Sequence, residues 1–403
     1  MRALRLALLG LAAAGAALVT AGAGPSGVED FVARHWRVPV APQGPPPARF
    51  SDLEKSLQPE SCGTCHPAQL ADWRQSVHAT SMGPGVAGQL VELQANEPAS
   101  AVACYACHAP LAEQAAHVIT TEGLRPNPVF DPALRARGVP CAGCHVRAHE
   151  RFGPPRRDGT LASAAPRDTL PHGGVTRTPA FLRSEFCRSC HQFAPDGLAL
   201  NGKLVQDTYR EWETSRFARA GVQCQECHMP DRRHLWRGIH DPEMVREGLT
   251  ITVRASPEPP RRGETVTATL RVESTGVGHM FPTYVTPAVV MRAELLDGGG
   301  APLAGSREEK VIAREVELDL SRELSDTRLG PGEAAELVYH RKVEAPAARL
   351  RLRVVVFPDA FYTAFFEALL RQGAGRGEGQ IREALAASRR SGFTVFSQEL
   401  ALE

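Results

Sequence analysis

A five-residue pattern recurs five times in this chain: Cys62-Gly63-Thr64-Cys65-His66, Cys104-Tyr105-Ala106-Cys107-His108, Cys141-Ala142-Gly143-Cys144-His145, Cys187-Arg188-Ser189-Cys190-His191 and Cys224-Gln225-Glu226-Cys227-His228. The five copies use all ten cysteines, so no thiol is left for a disulfide. Two thiols three positions apart reach the two vinyl groups of one porphyrin, and a histidine directly after the second thiol then lies against the iron on one face. Each copy therefore specifies covalent c-type haem attachment, with the cysteines as thioethers and His66, His108, His145, His191 and His228 as proximal ligands. A zinc or thioredoxin-like site built on the same Cys-x-x-Cys pairs would not need a histidine after every pair.

All five copies fall within residues 51–246, where the intervening sequence is short, rich in Pro, Gly and Ala, and poor in strand pattern. Such a segment cannot bury enough of its own side chains to fold, so the porphyrins are expected to supply much of the core and folding is expected to depend on haem.

Residues 1–23 read as a secretory signal: Arg2 and Arg5 form a basic start, Leu6 to Val19 is an apolar run, and Ala21-Gly22-Ala23 is a small-x-small cleavage site. The rival reading is an uncleaved anchor, because the apolar run is close to spanning length. Export to the periplasm or the cell exterior fits haem attachment, which bacteria carry out beyond the cytoplasm. Residues 24–50 read as a proline-rich spacer, since the stretch Pro39 to Pro47 excludes regular helix and central strand. With 46 basic against 45 acidic residues, charge argues against a nucleic-acid or strongly anionic partner.

From 247 to 403 the texture changes. Leu249 to Ala255, Thr265 to Glu273, Val289 to Leu296, Lys310 to Leu318, Ala335 to Val343 and Leu350 to Phe357 alternate apolar with polar residues, as half-buried strands do. Six short strands separated by turn residues, Asp297-Gly298 among them, predict an antiparallel, immunoglobulin-like β-sandwich. Phe361, Phe365, Phe366 and Leu369 share one face of a following helix, a second helix is expected over Ile381 to Arg389, and Gly373, Gly375, Gly377 and Gly379 read as a flexible linker. The fold class is thus multidomain: a mainly α/loop multihaem domain, then a β-sandwich with C-terminal helices.

Nine histidines remain after the proximal set, enough to close the second face of every iron, and closure on both faces marks a haem that passes electrons rather than binds a substrate. His78 follows a helix carrying Leu70, Trp73 and Val77, and His149 lies four residues past His145, suited to an adjacent porphyrin. His172 sits in a Gly-flanked loop, and His234 and His240 follow the fifth motif, with Asp241 placed to orient a ring nitrogen. His279, in Gly276-Val277-Gly278-His279-Met280-Phe281-Pro282-Thr283, is expected to reach from the second domain onto a haem, with Met280 a weaker axial candidate. His35, His117 and His340 read as ordinary surface or core histidines. Thr208-Tyr209-Arg210-Glu211 has capping-box spacing at the start of a helix carrying Tyr209, Trp212 and Phe217, aromatics suited to packing on porphyrin faces.

The first motif followed by Trp73 and Ser76-Val77-His78, the third motif with a histidine close behind, and Asp207-Thr208-Tyr209-Arg210-Glu211-Trp212 leading into the fifth motif and Met229-Pro230 together resemble the hydroxylamine oxidoreductase-type multihaem cytochromes c. The likeness covers roughly Glu60 to Asp241, and the Gly278-His279 to Pro282-Thr283 loop looks like one carried by members with an added β domain. The resemblance implies haems stacked in alternating parallel and perpendicular pairs, mostly bis-histidine, with His78 and His149 as distal ligands. The enzymes of that superfamily carry more haems, one of unusual ligation, whereas this chain has five plain sites. The leading expectation is therefore an electron carrier with five haems c, working between donor and acceptor proteins. Two alternatives stand beside it: a nitrogen- or sulfur-oxyanion oxidoreductase at one open haem, and a polymer linked through haem or β-domain contacts, with His279 or His35 supplied by a neighbouring chain. Membrane association is expected only if the N-terminal segment is retained.

Overall fold

The computed structural model describes residues 25–37, 40–162 and 165–403. The expected signal, 1–23, lies outside them. In the N-terminal half regular structure comes in short pieces, many of them opened by proline. Pro59–Gly63, Pro67–Arg74, Pro84–Asn96 and Pro98–His108 each start with a ring that pre-sets a helical φ and lacks an N–H that would otherwise go unpaired.

The stretch expected to be a bare spacer is packed structure. Pro25–His35 is a helix, α1, whose Val28 and Val32 bury with Trp36 against Ala180 and Phe186. Val40 then joins Leu111, Leu134, Ala142 and Val146 in a small core, and the Gln43 N–H donates to Glu113. A third small core gathers Met82, Leu90, Ala101, Tyr105 and Ala109 around Pro84–Asn96, α2. The haem-motif region thus holds several separate small clusters, as expected of a segment whose own side chains cannot make one core.

The C-terminal half is built differently. Its strands are β1 Leu249–Ser256, β2 Thr265–Ser274, β3 Ala288–Leu296, β4 Glu308–Val316, β5 Glu323–Asp326, β6 Ala334–Lys342, β7 Arg349–Phe357 and β8 Phe393–Ala401. They form two antiparallel sheets, one in the order β6-β2-β1 and the other β5-β4-β3-β7-β8. Val266, Ala268, Leu270 and Val272 of β2 alternate inward, as do Leu350, Leu352, Val354 and Val356 of β7, and both sets belong to one large core. The six strands expected from alternation are present. β5 and β8 are additional.

Between β7 and β8 run α3, Ala360–Gln372, and α4, Glu378–Ser388, which share a core of Phe366, Ile381, Ala384 and Leu385. Two of the glycines read as a flexible linker, Gly375 and Gly377, are packing contacts instead. A side chain at Gly377 would stand 2.1 Å from the Gly88 carbonyl oxygen of α2, and one at Gly88 would meet Ile381, so only glycine lets the two backbones approach. The C-terminal helices are thereby docked on the haem-motif region.

A second seam is polar. The Arg314 guanidinium, 1% exposed, donates to Glu323 at 2.8 Å and to the carbonyls of Leu200, Lys203 and Leu204, clamping a hairpin of the N-terminal half to β4. Beside it Arg328 pairs with Asp326 and with Glu211.

Candidate functional site

Four of the five motifs sit on a short helix that ends at the motif histidine: Pro98–His108, Cys141–His145, Glu185–His191 and Cys224–His228. The first follows Pro59–Gly63 in a tight turn, with the His66 N–H bonded to the Cys62 carbonyl. Helical winding puts thiols three positions apart on one face, as attachment to one ring requires.

The motifs are also drawn together. Cys62 and Cys141 are within thiol hydrogen-bonding reach, as are Cys107 and Cys190, and Cys187 and Cys224. The charge of Cys144 is felt at Cys187 and Cys190. The first motif therefore adjoins the third, the third the fourth, and the fourth both the second and the fifth, which makes the fourth motif the junction. Among the described residues no three His, Cys, Asp or Glu side chains converge as a closed zinc site needs.

Three motif histidines face a second imidazole. The ring centres of His228 and His279 stand 6.3 Å apart at 12°, those of His145 and His234 6.2 Å apart at 36°, and those of His191 and His78 6.3 Å apart at 60°. An imidazole nitrogen binds a transition metal at about 2 Å and lies about 1.1 Å from its ring centre, so two imidazoles on opposite faces of one iron hold their centres about 6 Å apart. Each pair matches that span.

The outward nitrogens are arranged for ligation. Nδ1 of His108 donates to the Ser81 carbonyl, that of His145 to Phe152, that of His228 to Arg237, that of His279 to Met280 and that of His172 to Gly174. His191 alone among the motif histidines is seen to use a side chain, the Tyr284 phenol, at 2.7 Å. A proton held on Nδ1 leaves the Nε2 lone pair for a metal. Burial then keeps the rings neutral: it pushes His78 down to about 3, and His145 and His191 to about 4, with neighbouring histidine charges adding to the effect. His228, His234 and His279 shift the same way, with burial again the main cause. Neutral imidazole is the form that binds metal. Trp236 stands edge-on to both His78 and His234, fixing two of the facing rings at once.

The remaining candidates are placed otherwise. His172 lies close enough to His66 to feel its charge, and its backbone takes a left-handed φ of 45°. His149, also left-handed at 59°, is buried with Nε2 3.0 Å from the Gly44 carbonyl and Nδ1 without a partner. His240 faces the surface and bonds Asp359. Among the described residues, His66 and His108 have no imidazole opposite them at the span of the three pairs.

Two further residues were not legible as site components. His35 is 4% exposed, caged by Phe31, Trp36, Phe152, Phe181 and Phe186, with Nε2 2.8 Å from the Cys144 carbonyl, and burial pushes it down to about 3. Phe31 and Trp36 are its sequence neighbours, but Phe152, Phe181 and Phe186 come from distant segments, so the cage forms only on folding. Glu211 does not form the expected capping box. Asp207 occupies the N-cap, and the Glu211 carboxylate accepts from the Met280 N–H and the Thr283 hydroxyl, holding the loop that carries His279. Of the expected aromatics, Trp212 and Phe217 lie in van der Waals reach of a side chain at Gly278, immediately before His279.

Residues 61–146 match the family model described as cytochrome c554 and c-prime. Over the whole chain the fold is similar to a penta-heme cytochrome c552 from Thermochromatium tepidum, with a TM-score of 0.60 and 18% identity, covering 87% of this chain and 100% of that one. Together the matches support a multihaem c-type cytochrome. An X-ray structure of a Northeast Structural Genomics Consortium target is 10% identical over 38% of this chain and 87% of that chain, with a TM-score of 0.18. Among curated proteins nothing matches the cytochrome. No described helix of the cytochrome is long and apolar enough to cross a membrane.

Proposed function

We propose that the cytochrome relays electrons through five covalently bound haems c between redox partner proteins outside the cytoplasm. The observation that carries this reading is the set of three imidazole pairs at 6.2 to 6.3 Å, each joining a motif histidine to a histidine remote in sequence. Iron porphyrin supplies one-electron chemistry, and the chain's part is to hold, cap and order the irons. In this reading His78 caps the iron of His191, His234 that of His145, and His279 that of His228. His240, exposed and bound to Asp359, serves the surface. The strand order of the two sheets supports an immunoglobulin-like sandwich, and the motif order supports kinship with the hydroxylamine oxidoreductase-type cytochromes.

The test is mass spectrometry of the mature protein with oxidised and reduced spectra. Five haem increments and a predominantly low-spin spectrum are expected. Missing increments, or a largely high-spin spectrum, would end the reading.

The first iron has two candidate caps, and alanine substitutions separate them. His172, whose Nδ1 donates to the Gly174 carbonyl and so leaves Nε2 for a metal, is the expected ligand. His172→Ala should convert one haem to high spin while His149→Ala leaves the spectrum unchanged; the reverse result would assign His149.

One observation favours a second reading at a single site. His108 lacks an opposing imidazole among the described residues, the condition for small-molecule chemistry at an open iron. A high-spin component of one haem in the wild-type spectrum would support it, and an all-low-spin spectrum would remove it.

A further inference from the structure

The loop between β2 and β3 does more than present His279. Five residues on, Tyr284 reaches into the N-terminal half and places its phenol oxygen 2.7 Å from His191 Nδ1. The Gln206 side-chain amide donates to the same oxygen at 2.8 Å. Tyr284 holds a left-handed φ of 67°, a conformation that an aromatic residue rarely adopts, so the backbone is bent to deliver this ring.

His108, His145 and His228 instead donate Nδ1–H to main-chain carbonyls, which no side-chain substitution can alter. At the fourth motif the acceptor is a side chain, supplied by the β domain. This is the motif that adjoins the second, third and fifth.

We propose that Tyr284 is a positioning residue that sets the reduction potential of the iron held by His191, giving the β domain control of the junction of the relay. The proposal rests on the haem reading above. With Nε2 on iron, the proton of His191 stays on Nδ1 and is donated to the phenol oxygen. The better that oxygen accepts, the more electron density the imidazole passes to iron and the more the oxidised form is favoured. Gln206 draws on the second lone pair of the same oxygen and so weakens its acceptance from His191. The reaction affected is one-electron reduction of iron(III) to iron(II), with no bond made or broken. The opposing effects of Tyr284 and Gln206 on one atom give the proposal its sign test.

The experiment is a spectroelectrochemical titration of the haem-loaded full chain as wild type, Tyr284→Phe and Gln206→Leu. Tyr284→Phe should move one midpoint positive, by roughly tenfold in the reduction equilibrium, which is about 59 mV for one electron. Gln206→Leu should move the same midpoint negative by a smaller amount. The haem count and low-spin spectrum should stay as in wild type, since neither residue is a ligand. If no midpoint moves, or both variants move it in the same direction, Tyr284 is structural and the proposal falls, while a wild-type count of five low-spin haems leaves the relay reading standing. A wild-type protein without haem would overturn both.

Discussion

His279→Ala is expected to leave the iron of His228 with a single axial imidazole, turning one haem of the five high-spin and opening it to exogenous imidazole or carbon monoxide. The effect should be large because the position has no substitute in reach. His279 is set on its N-terminal side by Gly278 packed on Trp212 and Phe217, and on its C-terminal side by Glu211 holding Met280 and Thr283. With the loop pinned at both flanks, a neighbouring side chain cannot swing in to replace the lost ring. Met280, the weaker candidate, lines a surface cavity with Glu211, Thr214 and Arg219. Optical and electron paramagnetic resonance spectra of the variant read the change directly. A spectrum identical to wild type would show that His279 does not cap this iron, and added imidazole restoring the low-spin signal would show that only the ligand had been lost.

Arg314→Ala should be the most destabilising single change at the seam between the two halves. It removes the guanidinium from Glu323, 5% exposed, which keeps Lys203 and Asn201, and from the carbonyls of Leu200, Lys203 and Leu204. Breaking a buried pair by removing one partner costs about 3–5 kcal/mol where the other charge is left alone, and the Lys203 that stays on Glu323 puts the expected loss at the lower end of that range. Lysine should not rescue, since a single ammonium cannot serve a carboxylate and three carbonyls as a planar guanidinium does. Removing Glu323 as well should recover only part of the loss, because the three carbonyls still lose their guanidinium donors. Denaturant unfolding of the haem-loaded protein measures this. A change under about 1 kcal/mol, the range of exposed ion pairs, would show that solvent reaches the seam.

The six expected strands could be read because each alternates buried and exposed positions along its own length, and burial on one face is a local property of sequence. The two unread strands explain themselves. Glu323–Asp326 is three polar residues and an exposed leucine, whose strand character comes from pairing with β4. Phe393–Ala401 is an edge strand in which Val395 is the one fully buried residue, so it carries little alternation of its own. The Gly373 to Gly379 run misled for a related reason. Glycine serves both mobility and close approach, and only the position of Gly88 on α2 shows which applies.

The attachment motifs were legible from the chain alone, because two thiols and an imidazole that must meet one ring are held by the covalent spacing of a single helical turn. Which histidine faces which iron was not. His78 meets His191 and His234 meets His145 across long stretches of sequence, and the three-way adjacency of the fourth motif, the phenol on His191 and the cage around His35 are assembled from elements that touch only after folding. Bonded geometry is written in local spacing. Contacts through space depend on how the two halves dock, and the polar clamp at Arg314 and the glycine contact at Gly377 set that docking.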